Sequence, residues 1–204
     1  MSVRLTYRGH ACFEVTCGEY TIVVDPYVEV PGYGELKLKG QEVLCSHQHF
    51  DHNAVEYVEI SENGISPFTV TAFDVPHDDC DGAKRGRNLI RIFEADGLRV
   101  AHLGDVGCMP EPAVLEQLKG LDAVMIPVGG TFTVDAREAD KIANVIGAKV
   151  VIPMHYRLGD LGFDSIGALE EFTALRQDVK DYPGNTVEIT ADMPAQTAVL
   201  RFVP

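Results

Sequence analysis

The segment His47-Gln48-His49-Phe50-Asp51-His52 packs three imidazoles and a carboxylate into six residues, directly behind the apolar run Val43-Leu44-Cys45. An apolar run of this kind reads as a buried strand, so the segment begins at a sheet edge. Buried ionisable groups must be paired or must coordinate a cation. Neutral imidazole is the commonest protein ligand for zinc-like metals, and carboxylates complete such sets. A polar loop with accidental histidines is the alternative, and it gives no reason for matching residues elsewhere in the chain.

Matching residues do occur. β-rich runs at 3–7, 11–16 and 20–25, split by small turns, predict an antiparallel meander. Further strands are expected at 43–46, 68–75, 88–94, 98–103, 123–128, 149–153, 186–189 and 198–203, with Asp96-Gly97 turning a hairpin. Helices are expected at 112–118, opened by Pro112, at 133–147, capped by Asp135 or Thr133 and stopped by Gly147, and at 165–175; residues 53–58 are expected to begin another. Several apolar strands end in a ligand-type residue: His77 after one, Asp105 after Leu103-Gly104, His155 after Pro153-Met154. Loops at rigid strand ends gather at one sheet edge, where ligands for one site are well placed. The alternation of strands and helices in the second half predicts α/β layers. With 204 residues and no linker or low-complexity segment, one domain spanning 1–204 is expected.

Composition narrows the partners. Lys plus Arg is 17 against 31 for Asp plus Glu, a net charge of −14, which opposes nucleic-acid binding and leaves a small molecule as the expected partner. Cys12, Cys17, Cys45, Cys80 and Cys108 include no C-x-x-C pair, which fits a reducing compartment. No apolar run reaches eighteen residues and the N-terminus lacks a signal-peptide stretch, so no membrane span and a cytoplasmic location are expected. Oligomeric state is left open.

The order His47-x-His49-x-Asp51-His52, His77, Gly104-Asp105 and His155 resembles the metallo-β-lactamase fold superfamily. Asp25-Pro26, Ile126-Pro127-Val128-Gly129-Gly130 and Pro153-Met154-His155-Tyr156 extend the likeness over nearly the whole chain. Within that superfamily it looks like the small hydrolases similar to L-ascorbate 6-phosphate lactonase and to N-acyl-phosphatidylethanolamine phospholipase D. The resemblance implies an α/β fold, the αβ/βα sandwich of two β-sheets flanked by helices. It further implies that His47, His49 and His77 hold one metal, that Asp51, His52 and His155 hold a second, and that Asp105 bridges them. Two divalent ions are implied, zinc first, with manganese, iron, nickel or cobalt also suited to these donors. His47 and His49 point the same way from an extended segment, and the turn at Phe50 aims Asp51 and His52 at a neighbouring point, so ions ~3.5–4 Å apart are expected.

Metal-dependent hydrolysis follows as the expected activity. A water between two cations becomes hydroxide near neutral pH and attacks carbonyl or phosphorus, with Asp51 as the catalytic residue that orients it. The expected substrate is a small anionic ester, lactone or phosphodiester. A phosphodiesterase or nuclease is the alternative, and a metal-binding or sensing module without turnover is a second. Asp25 is expected to brace a ligand imidazole from behind. His10 carries less of the argument, and His102, three residues before Asp105, is expected to point to the opposite side. Arg85, Arg87 and Arg157 lie beside the motif loops and are candidates for gripping phosphate or carboxylate.

Overall fold

The computed structural model describes residues 2–204. Strands β1 (Val3–Gly9), β2 (Cys12–Cys17) and β3 (Tyr20–Val24) form the antiparallel meander that their short turns predict. After β4 (Leu38–Gly40), β5 (Glu42–Leu44) lies parallel to β3, and β6 (Val58–Ile60) pairs back with β4. Antiparallel β7 (Thr69–Pro76), β8 (Arg87–Ala95) and β9 (Leu98–His102) follow. Helix α1 (Pro112–Leu118) precedes β10 (Ala123–Pro127), and helix α2 (Ala136–Ile146) precedes β11 (Val150–Met154). Helix α3 (Leu169–Thr173) leads to β12 (Val179–Asp181), β13 (Thr186–Ile189) and β14 (Gln196–Val199).

Two large sheets result, in the orders β13-β1-β2-β3-β5 and β12-β14-β11-β10-β9-β8-β7. Leu5, Phe13 and Ile22 of the first share one apolar core with Ile90, Val100 and Met125 of the second and with Leu118, Ile142 and Phe172 of the helices. Every residue of β10 and β11 is buried, as parallel strands covered on both faces must be. The layering is the αβ/βα sandwich. Among the described residues, no helix is long and apolar enough to cross a membrane.

Local chemistry explains where expectation and structure part. Helix α2 begins and ends as its caps dictate: the Asp135 carboxylate accepts from Glu138 N–H at 2.9 Å, and Gly147 takes the left-handed conformation at φ 65°. Residues 53–58 make only the 3₁₀ turn Val55–Tyr57, because Val58 onward pairs with β4. The helix expected at 165–175 shrinks to Leu169–Thr173, since Gly167 is tied by its N–H to Gly129 and by its carbonyl to Arg157. The last strand is Gln196–Val199 rather than 198–203.

Strand direction then determines where the functional residues meet. In the first sheet β1, β3 and β5 run the same way, so the residues after them, His10, Asp25 and His47, share one edge. In the second sheet β7, β9, β10 and β11 also run the same way, and His77, Asp105 and His155 leave their ends at one edge.

Gly104 seats Asp105 at that edge. It lies at φ +54°, and an added Cβ would collide with Asn88 Oδ1 and Ser46 Cβ. Gly97, at φ +75° in the hairpin turn, has open space around it. Gly104→Ala is therefore expected to cost about 3 kcal/mol, the left-handed penalty plus overpacking, and Gly97→Ala about 1 kcal/mol, the backbone penalty alone. Urea denaturation of both variants checks the order, and equal losses would contradict it.

Candidate functional site

Asp25 organises the loop that carries the histidine run. It ends β3 at φ 50° and is fully buried. Its Oδ1 accepts Ser46 N–H at 2.6 Å, and its Oδ2 accepts the Ser46 hydroxyl at 2.6 Å and His52 Nδ1 at 2.9 Å. Because Ser46 Oγ gives its proton to Asp25, it receives the His47 Nδ1 proton at 2.9 Å. One carboxylate thus sets both tautomers, and both rings present Nε2 away from it. The loop turns through the His52 N–H to His49 carbonyl bond at 2.9 Å and is pinned by Val28 N–H on Phe50 carbonyl at 3.2 Å.

At the centre lies Asp105, 2 % exposed. Its Oδ2 is 3.2 Å from His52 Nε2, 3.3 Å from His155 Nε2, 3.6 Å from His77 Nε2 and 4.0 Å from His47 Nε2. Its N–H goes to Asn88 Oδ1 at 2.9 Å, while its Oδ1 has no hydrogen-bond partner among the described residues, so the side chain does not cap a turn there. His47 and His77 face each other Nε2 to Nε2 at 3.2 Å, and the His49 ring stands 4.6 Å and 5.1 Å from theirs.

The donors fit a cation better than they fit one another. His52 Nε2, both nitrogens of His155, Asp105 Oδ1, His77 Nδ1 and His10 Nδ1 are buried without hydrogen-bond partners among the described residues. Such orphans are costly unless something else satisfies them. Tetrahedral zinc with bonds of ~2.0–2.1 Å has ligand atoms about 3.3 Å apart, close to the short separations here. Three groups of donors lie close enough to share an ion: His47, His49 and His77; His47, His52 and Asp105; and His10, Asp51, His52 and His155.

His10 is the residue that sequence reasoning undervalued. It is fully buried, with Nε2 3.2 Å from Asp51 Oδ2 and its ring 4.1 Å from that of His155. Its carbonyl accepts the His155 N–H at 2.9 Å, and both residues adopt positive φ. The signal was available in the meander, because the turn after β1 and the Asp25 turn after β3 fall at the same edge. His102 takes a packing role: Nε2–H bonds Ala11 carbonyl at 2.9 Å and Nδ1 accepts Gly104 N–H at 3.1 Å.

Electrostatics divide the imidazoles. Burial, aided by the positive field of His52, pushes His47 down to about 3; burial and His155 bring His10 down to about 4. Burial also lowers His77 and His102. For His52 burial acts in the same direction, but the Asp105 and Asp25 carboxylates override it and raise the imidazole well above its ordinary value. Burial opposes ionisation of Asp105, yet His155 and His52 hold its carboxyl well below the usual range. Asp51 is likewise lowered, by His10 and His52 against burial.

Beside the cluster opens a cavity of about 350 Å³ reached by His49, Asp51, His77 and Asp105 and walled by Arg85 and phenylalanines. Of the three candidate arginines only Arg85 reaches it. Arg87 is spent on Asp74 at 2.6 Å and Asp81 at 3.0 Å, and Arg157 is not among the lining residues. The second acidic group, Asp78-Asp79-Cys80, has another explanation: Asp78 accepts the backbone N–H groups of Cys80, Gly82, Lys84 and Arg85 at 2.8–3.0 Å. All five cysteines are free.

Known proteins resemble this chain in sequence and fold. The sequence profile of the beta-lactamase superfamily domain matches residues 4–155. A UPF0173 metal-dependent hydrolase of Methanoculleus marisnigri is 27% identical over 223 residues, covering 94% of this chain and 91% of its own. A crystal structure from Thermotoga maritima, described as a candidate zinc-dependent hydrolase of the metallo-beta-lactamase superfamily, superposes with a TM-score of 0.77 at 30% identity. The match covers 98% of this chain and 100% of that one. A metallo hydrolase from Ignicoccus hospitalis shares the fold, with a TM-score of 0.66 at 22% identity over 93% of this chain and 99% of its own.

The buried imidazoles make stability depend on pH. Four of them (His10, His47, His77 and His102) are held below their ordinary value in the folded chain and one, His52, above it. Below about pH 6.5 the unfolded chain binds protons at the four that folding excludes, whereas His52 is protonated in both states. The unfolded state therefore carries more protons, and stability falls as pH falls, by about 1.4 kcal/mol per pH unit for each net proton. Urea denaturation of chelator-treated protein is expected to give a lower midpoint at about pH 5.5 than at about pH 7. An unchanged or higher midpoint would count against this division of charge.

Proposed function

The chain belongs to the beta-lactamase superfamily, the family of the metallo-β-lactamase fold, and on that premise we propose that it hydrolyses a small anionic ester, lactone or phosphodiester with two divalent metal ions, zinc first. It is a metal-dependent hydrolase. The observation that carries the finer reading is the Asp105 carboxylate, with Oδ2 within 4.0 Å of four imidazole nitrogens and Oδ1 left without a partner. A carboxylate has two oxygens and can serve two cations, whereas each imidazole nitrogen serves one. We assign His47, His49 and His77 to one ion, Asp51, His52 and His155 to the other, and Asp105 to both. The ions, when bound, supply Lewis acidity and a water that ionises near neutral pH.

The chain's own residues do the rest. Asp25 fixes the Nδ1 protons of His52 directly and of His47 through Ser46, so both rings offer Nε2 to the site. His10 Nε2 holds Asp51 Oδ2, which fixes that carboxylate at the cavity, where it would orient the attacking water. Phe50, Phe132 and Phe163 line the cavity beside the donors. The cavity, near the lower end of the ~300–1,000 Å³ of small-molecule sites, supports a substrate of modest size.

Elemental analysis of protein reconstituted with zinc is expected to saturate at two ions per chain. Asp105→Asn should keep the fold by circular dichroism, bind one ion fewer, and lose turnover on an ester, lactone and phosphodiester panel by more than the ~10–100-fold typical of outer partners. Two tightly held ions with near-normal rates in that variant would sink the assignment. Two ions with no turnover by the unaltered protein on any substrate class would favour a metal-binding module.

A further inference from the structure

The cavity beside the donor cluster has two kinds of wall that metal binding does not need: three phenyl rings, Phe50, Phe132 and Phe163, and one cation, Arg85. Phe50 sits between His49 and Asp51 and is 54% exposed. Nothing in the core requires a large apolar ring at that place, and a ligand would cover it. The Phe163 ring stands edge-on to it at 6.3 Å. The Arg85 guanidinium lies 5.5 Å from the Phe132 ring centre and gives one N–H to Thr131 carbonyl at 2.8 Å.

The loop behind Arg85 is built to hold it there. Asp78, 2% exposed, binds the Arg85 N–H at 2.8 Å and the Lys84 N–H at 2.9 Å on Oδ2, and those of Cys80 and Gly82 on Oδ1. The cations on either side are spent, Lys84 on Asp79 and Arg87 on Asp74 and Asp81. Arg85 has five N–H donors, and among the described residues no carboxylate pairs with it, in a chain of net charge −14. A free guanidinium fork facing an apolar cleft is suited to bidentate capture of a carboxylate or phosphate.

We propose that the cleft selects an amphiphilic anion: a substrate whose carboxylate or phosphate oxygens meet Arg85 while an aromatic or branched aliphatic part lies against Phe50, Phe132 and Phe163. This rests on the hydrolase reading for the bond that is cut, but the recognition can be tested without turnover. Titration calorimetry of zinc-loaded protein with phenylacetate, phenyl phosphate and neutral phenylacetamide separates the carboxylate and phosphate arms. One of the two anions is expected to bind more tightly than the amide. Arg85→Ala should weaken that anion roughly ten- to a hundredfold and the amide far less, with Arg85→Lys in between because it keeps charge without the fork. Phe132→Ala should weaken the phenyl anion more than it weakens acetate or inorganic phosphate. An anion affinity that Arg85→Ala leaves unchanged would mean that the metal ions alone hold it, and equal losses for anion and amide would mean a general loss of shape; either overturns the proposal. Because binding is read apart from turnover, correct selectivity with no turnover on the ester, lactone and phosphodiester panel would overturn the proposed substrate class and leave this reading standing.

Discussion

A buried carboxylate facing four imidazoles is an expensive thing to fold around. Asp105 is 2% exposed, and one of its oxygens has no hydrogen-bond partner among the described residues. The protein answers at the nearest ring: Asp105 and Asp25 together raise the His52 imidazole well above its ordinary value, where burial alone would lower it. Removing such a partner would leave an uncompensated charge in low dielectric, which costs more than most single contacts contribute. The rest of the site follows from this requirement. The strand ends must converge on one point, and Gly104 must bend the chain where a side chain would strike Asn88 and Ser46.

Much of this is legible in the residues themselves. The histidine run declares itself by density, and His77, Asp105 and His155 by their position after apolar strands. Helix α2 is written in its Asp135 cap and Gly147 stop. His10 takes its meaning from tertiary placement rather than from its neighbours. A single histidine in a turn has no local pattern, and its meaning comes from the strand parity that places it on the Asp25 edge, against Asp51 and His155. The arginines show the converse. Arg85 and Arg87 are two residues apart and look alike in sequence, yet one faces the cavity and the other is consumed by Asp74 and Asp81. Side-chain direction within a loop is decided by backbone bonds, here the four that Asp78 collects.

What could not be read concerns short elements whose existence depends on distant partners. β4 and β6, three residues each, stabilise one another across a long stretch of chain and have no periodicity to announce them. β12 is exposed throughout and forms because β14 offers its edge. The truncated α3 reflects the opposite influence: local pattern favours helix, and the backbone bonds of Gly167 to Gly129 and Arg157 override it. In each case tertiary pairing outweighs weak local preference.

Asp25 connects the fold to the chemistry. It lies outside the donor cluster, yet through His52 directly and through the Ser46 hydroxyl it sets the proton positions of two rings. Those rings link the donor groups: His47 stands with His49 and His77, His52 with His10, Asp51 and His155, and the two meet again beside Asp105. A cation arriving at either group would find an Nε2 already turned towards it, with little reorganisation to oppose binding. An imidazole must be free of a proton at Nε2 to bind a cation there, which ties metal affinity to pH without any further device in the fold.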